Sequence, residues 1–422
     1  MDKSTKPFRV SRGMYIGEAA FEYLIALMVQ GTFLARLTES LGFSDSLTGI
    51  ISSFTTLGFL FQLLSLLIRK RRVKHLVVAI SLVNQILFTL LYIVPVTPLA
   101  PEIKAAAFII CLFAAYIIYY LANPKKTSWL MSLVEDGKRG RFTANKDIFT
   151  LNSGIVFTYA MGGLSDHFKA RGELRTAFIL TAVIMVVITV LHTVTLLFSV
   201  EPEEENKTER KNILAGMASL IKDKNVQKIV GIYVIWYLAS SLSTHFYGTY
   251  MNGELKFSLA FASILSSAGS VLRILVSRPM GRYADKYSFA AAMRICFAAA
   301  AICFACVAFA TPKTGKVMFL LYYLFHSFAM AGINGGLVNL VFDYLPKEKC
   351  ADGLAVCQSI AGLVGFLTTL AASALVARIQ NNGNTFFSIP IYAQQVVSAF
   401  SSLLCVAAVV YVSFVFLRKK ER

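Results

Sequence analysis

Two glutamates stand one helical turn apart in a segment that is otherwise apolar. The segment reads GEAAFEYLIALMVQG over residues 17–31, and Glu18 and Glu22 are its only charged residues. Neighbouring carboxylates resist ionising together, and burial further favours their neutral forms. A glutamate held near neutrality can bind and release a proton. We therefore predict a coupling or substrate role for both residues. The alternatives are a structural ion pair for Glu22 and a solvated interface position for Glu18.

The composition places this segment in a lipid bilayer. Of the 422 residues, 56% are hydrophobic and only 15% are charged, and the mean hydropathy is +0.64. A soluble domain typically has about 25% charged residues. Helices satisfy their own backbone polar groups, so repeated apolar blocks of about 20 residues predict an all-α integral membrane protein. The twelve predicted spans are 14–38, 46–68, 75–95, 102–122, 146–165, 174–199, 226–250, 257–278, 288–310, 316–341, 353–378 and 390–417.

The basic residues indicate an orientation. With the N-terminus inside, 31 of the 41 Lys and Arg residues fall in inner segments and 9 in outer ones. The positive-inside rule then predicts cytoplasmic N- and C-termini in a multi-pass protein of the cell membrane. Basic loops that face anionic lipid also account for the net charge of +18, so no nucleic-acid partner is expected.

The seven cysteines predict neither disulfides nor a metal site. Most of them lie in apolar blocks without an even, loop-borne spacing, so free thiols are expected. Cys303 and Cys306 form a CxxC inside a predicted span, but there is no second pair and no histidine near them in the sequence. No metal and no cofactor are expected.

A long polar stretch divides the chain into two halves of six spans. Residues 201–228 read EPEEENKTERKNILAGMASLIKDKNVQK. We predict an N-terminal bundle over 1–200, a linker over 201–225 and a C-terminal bundle over 226–422. The apolar residues in the second part of the linker have helical spacing, which indicates either a short amphipathic helix at the inner surface or a solvated linker.

The loop after the eighth span carries a family signature. It reads SRPMGRYADKYS over 277–288 and resembles the loop motif of the major facilitator superfamily, G-x-x-x-D-[RK]-x-G-[RK]-[RK]. The matching residues are Gly281, Asp285 and Lys286, with Arg278 and Arg282 beside them. Asp285 is predicted to cap the start of span 9 or to pair with an arginine, and Gly281 to allow two helix ends to approach, so that the loop latches two helices.

The resemblance implies a bacterial-type transporter with twelve helices in two six-helix bundles, both termini cytoplasmic, working by alternating access. Four departures are visible. The loop lacks its final glycine and bases, and the first-half equivalent, RKRRVKH over 69–75, has no aspartate. Span 5 lacks the glycine- and proline-containing motif of the drug antiporters, and predicted span 4 carries tyrosines where proton-coupled members often carry an arginine. The absences in spans 4 and 5 weigh modestly against a standard drug–proton antiporter.

Arg273 lies inside predicted span 8, at a depth similar to that of Glu22. In the family fold, spans 1 and 8 both border the central cavity. We therefore hypothesise an attraction between Glu22 and Arg273; the alternative is an arginine that reaches the inner headgroups.

The resemblance also implies that spans 1, 4, 7 and 10 line the cavity. Aromatic rings with scattered amides and imidazoles suit a polyhydroxy or otherwise neutral ligand, through stacking and a few hydrogen bonds. The candidate residues on these spans are Tyr119, Tyr120, Trp236, Tyr237, His245, His326 and Asn334.

The function expected from this pattern is secondary active transport. No GxxxxGK[ST] motif for direct ATP drive is present, and no HExxH or GxSxG motif indicates an enzyme. We expect proton- or cation-coupled uptake of a sugar or other polar solute by a monomer. The alternative is efflux of a lipophilic or cationic compound, with Glu22 as the partner of the cation. A non-transporting sensor of the same shape is a third hypothesis.

Overall fold

The computed structural model describes residues 6–62, 64, 73–134, 139–201 and 220–417, and this part of the chain is almost entirely helical. The helices are α1 (Lys6–Met28), α2 (Gly31–Ser40), α3 (Asp45–Ser52), α4 (Phe54–Phe61), α5 (Lys74–Ile93), α6 (Pro101–Ser132), α7 (Arg139–Ala170), α8 (Leu174–Phe198), α9 (Lys224–Ser243), α10 (Leu259–Lys286), α11 (Phe289–Ala308), α12 (Gly315–Tyr344), α13 (Lys347–Asn381) and α14 (Ala393–Val412). Short 3₁₀ and π turns continue α5, α9 and α14.

Nine helices in this part of the chain are long and apolar enough to cross a membrane. The pair α1 and α2, which bends by 42°, makes a tenth if the two helices form one span. Gly31 begins α2 with a φ of +55°, which favours glycine. Of the two remaining predicted spans, 146–165 lies inside α7, which is not among these apolar helices, and 46–68 corresponds to α3 and α4 and continues outside the described residues. The number twelve therefore stays a prediction.

Two predicted span limits are wrong. Helix α1 begins at Lys6, not at residue 14, and α6 runs to Ser132, not to residue 122. Pro124 lies inside α6 and does not end it. Proline is tolerated in membrane helices when neighbouring groups satisfy the backbone carbonyl that it leaves free. This extension adds ten residues to α6, among them Lys126.

The chain divides into two compact units. The first contains Met1–Phe43, Phe61–Thr208 and Ser258–Ser263, and the second contains Ser44–Leu60, Glu209–Phe257 and Ile264–Arg422. Most of the predicted linker 201–225, with its possible amphipathic helix, lies outside the described residues. The domain limits at 200 and 226 therefore stay a prediction.

In the second unit, glycine and alanine bring helices into close contact. A Cβ atom built on Gly332 would lie 2.4 Å from the sulfur of Cys296, and one on Gly336 would lie 2.4 Å from Met293. Both contacts join α12 to the alanine-rich α11. Close backbone approach through small residues is a common way of packing membrane helices, and it leaves no room for a larger side chain.

One feature departs from the all-α prediction. Thr385–Phe386 and Ile389–Pro390 pair as a two-residue antiparallel hairpin between α13 and α14. Phe387 and Ser388 form its turn, with φ of +47° and +64°. Two successive positive φ values match the right-handed twist of a hairpin. The hairpin is too short to change the fold class.

Asp166, near the end of α7, holds the first turn of α10. Its carboxylate accepts backbone hydrogen bonds from Leu259 and Ala260 at 3.1 and 2.8 Å. Arg36 lies 3.8 Å from the same carboxylate and is only 4% exposed. A carboxylate at a helix N-terminus satisfies free N–H groups and opposes the positive end of the helix dipole. This contact therefore attaches the first turn of α10 to the first unit.

Asp166→Ala is expected to lower the thermal unfolding temperature of the detergent-purified protein. The lost cap costs about 1 kcal/mol, and the buried Arg36 loses a partner. The matched control is Glu39→Ala, because Glu39 pairs with the same arginine at 3.6 Å but is half exposed. Equal unfolding temperatures for the two variants would contradict the capping role.

Candidate functional site

Four ionisable side chains meet inside the first unit, and we call them the charged cluster: Glu18, Glu22, Lys126 and His192. The ammonium of Lys126 lies 2.7 Å from Oε1 of Glu18 and also donates a hydrogen bond to Oε2 of Glu22. Nε2 of His192 lies 3.3 Å from Oε1 of Glu18. Glu18 and His192 are 2% and 0% exposed, and Glu22 is partly exposed. The lysine thus lies between two carboxylates.

Three helices bring these residues together. Glu18 and Glu22 are four residues apart on α1, so both face the same side. Helix α8 approaches α1 closely at Gly17, where a Cβ atom would lie 3.4 Å from the methyl group of Thr195. His192 is one turn before Thr195, and this contact therefore places its imidazole beside Glu18.

Helix α6 supplies Lys126 from the turn beyond Pro124. This part of the helix is fixed by Trp129, whose Nε1 donates a 3.0 Å hydrogen bond to the carbonyl of Val200. Tyr119, two turns before Lys126, lies within electrostatic range of Glu22. Its ring packs edge-on against Tyr120 with 5.1 Å between centroids. The tyrosines predicted for the site on span 4 therefore do lie beside the cluster.

When both carboxylates are ionised, the positive and negative charges of the cluster do not balance. Two negative groups share one ammonium, so the cluster carries one net negative charge when His192 is neutral. A buried charge is costly unless it is paired, which favours binding of one further positive charge. Binding of a proton would make the cluster neutral.

The same atoms resemble a metal site. Ligand atoms of Glu18, Glu22 and His192 all lie within 4.8 Å of one another. The ammonium of Lys126 contacts both carboxylates, however, and already supplies the positive charge that a cation would bring. The donor set can therefore hold an added cation only if Lys126 withdraws.

Sequence reasoning found half of this cluster. Glu18 and Glu22 were predicted, but the interface position considered for Glu18 is wrong, since its side chain is almost fully buried. Lys126 falls in a predicted loop, because the predicted span 4 ends at residue 122. His192 was overlooked, although an ionisable residue in a predicted span is a functional candidate by default.

The predicted partner of Glu22 was Arg273. The structure gives Glu22 an ion pair with Lys126. Arg273 belongs to the second unit, where it lies within electrostatic range of His326. The hypothesis of an attraction between Glu22 and Arg273 remains untested.

Three of the second-unit candidates take part in side-chain contacts. His326 stacks on Tyr322 at 5.2 Å between ring centroids. Nδ1 of His245 lies 3.2 Å from the hydroxyl of Ser52. Tyr237 packs edge-on against a phenylalanine of α4 at 6.1 Å.

The other two differ sharply in exposure. Trp236 is 5% exposed and packs against Phe297, with 5.8 Å between ring centroids. Asn334 is exposed. The surroundings of Trp236 are those of a packing residue, whereas the side chain of Asn334 is not enclosed by the protein.

The residues of the loop motif lie in the last turns of α10. Gly281, Arg282, Asp285, Lys286 and Arg278 are all exposed.

The prediction that Asp285 caps the next helix is wrong. The cap of α11 is Ser288, whose hydroxyl accepts a 3.1 Å hydrogen bond from the backbone of Ala291. Among the described residues Asp285 forms no ion pair. Among the described residues, a Cβ atom on Gly281 would meet nothing within 4 Å. The latch role of the loop motif stays a prediction.

The chain belongs to the major facilitator superfamily. The family model matches residues 19–369, which is most of the chain. This membership and the apolar helices indicate a multi-pass membrane protein of a transporter family. No curated protein matches the sequence.

Solved structures show the same fold. A mutant of the nucleoside transporter NupG is 16% identical, with a TM-score of 0.73, over 96% of this chain and 100% of that one. The POT family transporter PepTSo is 13% identical, with a TM-score of 0.69, over 95% and 97%. The E. coli fucose:proton symporter FucP is 11% identical, with a TM-score of 0.58, over 97% and 98%. At these identities the likeness concerns the fold alone.

Proposed function

We propose that the protein couples a proton to the uptake of a small polar solute by alternating access, and that the charged cluster is the coupling site. The observation that carries this proposal is the pairing of one buried lysine with two carboxylates. When a proton binds Glu22, Lys126 keeps Glu18 as its partner and the cluster becomes neutral. The protein can then change from one access state to the other without moving an unpaired buried charge.

A proton fits this cluster better than a metal or sodium ion. The ammonium of Lys126 contacts both carboxylates and repels a second cation, whereas a proton needs only one carboxylate oxygen. The proposed orientation has both termini in the cytoplasm and the protein as a monomer in the cell membrane.

The solute class is supported by the aromatic and amide side chains of the candidate residues and by two relatives. A nucleoside transporter and a fucose:proton symporter share the fold, and both move polar solutes. We propose Tyr119, Tyr120, Tyr237, His326 and Asn334 as solute contacts. Efflux of a lipophilic cation is the second candidate, since Glu22 is partly exposed, but its pairing with Lys126 weighs against that role.

The test is uptake into proteoliposomes under an imposed pH gradient, acid outside. The vesicles are offered a mixture of radiolabelled sugars, nucleosides and lipophilic cations, one label at a time. Uptake of a polar solute that collapses when a protonophore is added supports the proposal. Expulsion of a lipophilic cation instead would support the second candidate.

The same vesicles test the coupling ion. We expect the rate of pH-driven uptake to stay within about twofold when all Na⁺ is replaced by choline, because Lys126 supplies the charge at the cluster. Uptake that requires Na⁺ and ignores the pH gradient would show that the lysine withdraws and that the carboxylates bind the metal ion.

A further inference from the structure

In the described part of the second unit, one positive charge inside a helix has no acidic partner. Arg273 is half-buried in the middle of α10, and among the described residues it forms no ion pair. Arginine stays charged in any protein environment, so this charge cannot be removed by losing a proton. A charged side chain at this depth is costly without an anion, which makes it a functional candidate.

The acidic residues of α10 and α12 are too far along these helices to pair with Arg273. The nearest one on α10 is Asp285, twelve residues or about 18 Å further along the axis. On α12, Asp343 is seventeen residues beyond His326. The middle of both helices is therefore positive or neutral.

Contacts between α10 and α12 fix the position of Arg273 opposite His326. A Cβ atom on Gly269 would lie 2.5 Å from the hydroxyl of Ser327, and one on Gly332 would lie 3.1 Å from Met280. Arg273 lies between Gly269 and Met280 on one helix, and His326 lies one residue from Ser327 on the other. Arg273 and His326 therefore both lie within about one turn of the contact between Gly269 and Ser327.

The pair has the chemistry of an anion site. The guanidinium of Arg273 offers a planar fork of N–H donors that matches a carboxylate or a phosphate. His326 is half-buried within range of that charge, and its imidazole adds a further polar group beside it. Asn334 is two turns beyond His326 on the same face of α12 and is exposed, so its amide can also donate.

We infer that Arg273, with His326 beside it, binds the carboxylate of an acidic solute, such as a sugar acid rather than a neutral sugar. The inference rests on the proposed transport function and names its substrate class more closely. A lipid phosphate offers similar chemistry at an arginine. The solute is preferred because both residues lie near the middle of their helices, nine or more residues from either end.

The experiment offers proteoliposomes a mixture of sugar acids and the matching neutral sugars, glucuronate with glucose and galacturonate with galactose, together with a water-soluble cell extract. Mass spectrometry then identifies what accumulates under a pH gradient. Vesicles of phosphatidylcholine are compared with vesicles that also contain phosphatidylglycerol.

The variants are Arg273→Gln, Arg273→Lys and Arg294→Gln, the last as a control because Arg294 is an exposed arginine of the same unit. Size-exclusion profiles and unfolding temperatures verify that each variant is folded.

The expected result is that wild-type vesicles accumulate carboxylates. Arg273→Gln should raise the KM for them at least tenfold, Arg273→Lys less, and Arg294→Gln should leave it unchanged.

Three outcomes would overturn the inference. One is accumulation of neutral or cationic solutes instead of acids. Another is a defect of Arg273→Gln that occurs only with phosphatidylglycerol, which would assign the arginine to a lipid headgroup. A third is unchanged KM in a folded Arg273→Gln. Failure of every vesicle to accumulate anything would instead contradict the proposed transport function, and the inference would fall with it.

Discussion

Lys126→Met is expected to abolish pH-driven uptake and to lower the unfolding temperature more than any other single change in the charged cluster. The substitution keeps the length of the side chain but leaves Glu18, which is 2% exposed, without its cationic partner. Removing one partner of a buried pair typically costs about 3–5 kcal/mol, because the remaining charge stays buried and unpaired. Glu22 then adds a second negative charge nearby. The readouts are thermal unfolding in detergent and uptake into proteoliposomes.

The control is Lys125→Met, which alters the preceding residue, a half-buried lysine without the cluster's ion pairs. A rescue variant separates stability from coupling. Lys126→Met combined with Glu18→Gln removes the buried charge as well, so the unfolding temperature should recover in large part while uptake stays absent. If Lys126→Met unfolds at the temperature of Lys125→Met and still transports, the lysine is not the partner that holds the cluster together.

The sequence allowed the fold and the first half of the site to be predicted. Apolar blocks and basic loops report on the bilayer directly, since lipid demands a helix and anionic headgroups attract Lys and Arg. Glu18 and Glu22 were recognisable because charges inside an apolar block are rare. The family motif was recognisable in 277–288, and the family model confirms membership.

The partner of the two glutamates could not be predicted because it depended on a helix end. The predicted span 4 ends at residue 122, so that Lys126 falls in the loop that follows it. In the structure α6 continues to Ser132, and Lys126 changes from a loop charge to a buried one, 4% exposed on its side chain. The apolar residues after Pro124, in WLMSLV over 129–134, were the signal that the helix continues.

Contacts between segments that are distant in the sequence could not be predicted either. Nothing in the local sequence indicates that His192 on α8 lies beside Glu18, 174 residues away, because the close approach at Gly17 and Thr195 is a property of the packed helices. The same reason explains the wrong cap on α11. Asp285 and Ser288 are both good capping residues, and only the end of α10 at Lys286 decides that Ser288 is the one in place.

Glu22→Gln is expected to separate exchange from coupling. Among the two carboxylates, Glu22 is the more exposed and can receive a proton from water, while Glu18 stays enclosed with Lys126 and His192. The amide of glutamine keeps the shape and hydrogen bonding of a protonated glutamate but cannot ionise. The variant should therefore behave as a permanently protonated carrier.

The predicted outcome is a loss of pH-driven accumulation by at least tenfold, while exchange of labelled for unlabelled solute across equal pH continues within about threefold of wild type. Exchange requires only the loaded carrier to change its access, which the neutral cluster allows. Net accumulation requires the proton to leave, and glutamine has no such proton to release.

Glu18→Gln is the comparison, because it leaves Lys126 with a single carboxylate, Glu22, which must stay ionised to form an ion pair with the lysine. That variant should lose both activities. If Glu22→Gln accumulates solute like wild type and only Glu18→Gln is uncoupled, then the proton binds the buried Glu18 beside His192, and Glu22 serves as the fixed partner of the lysine.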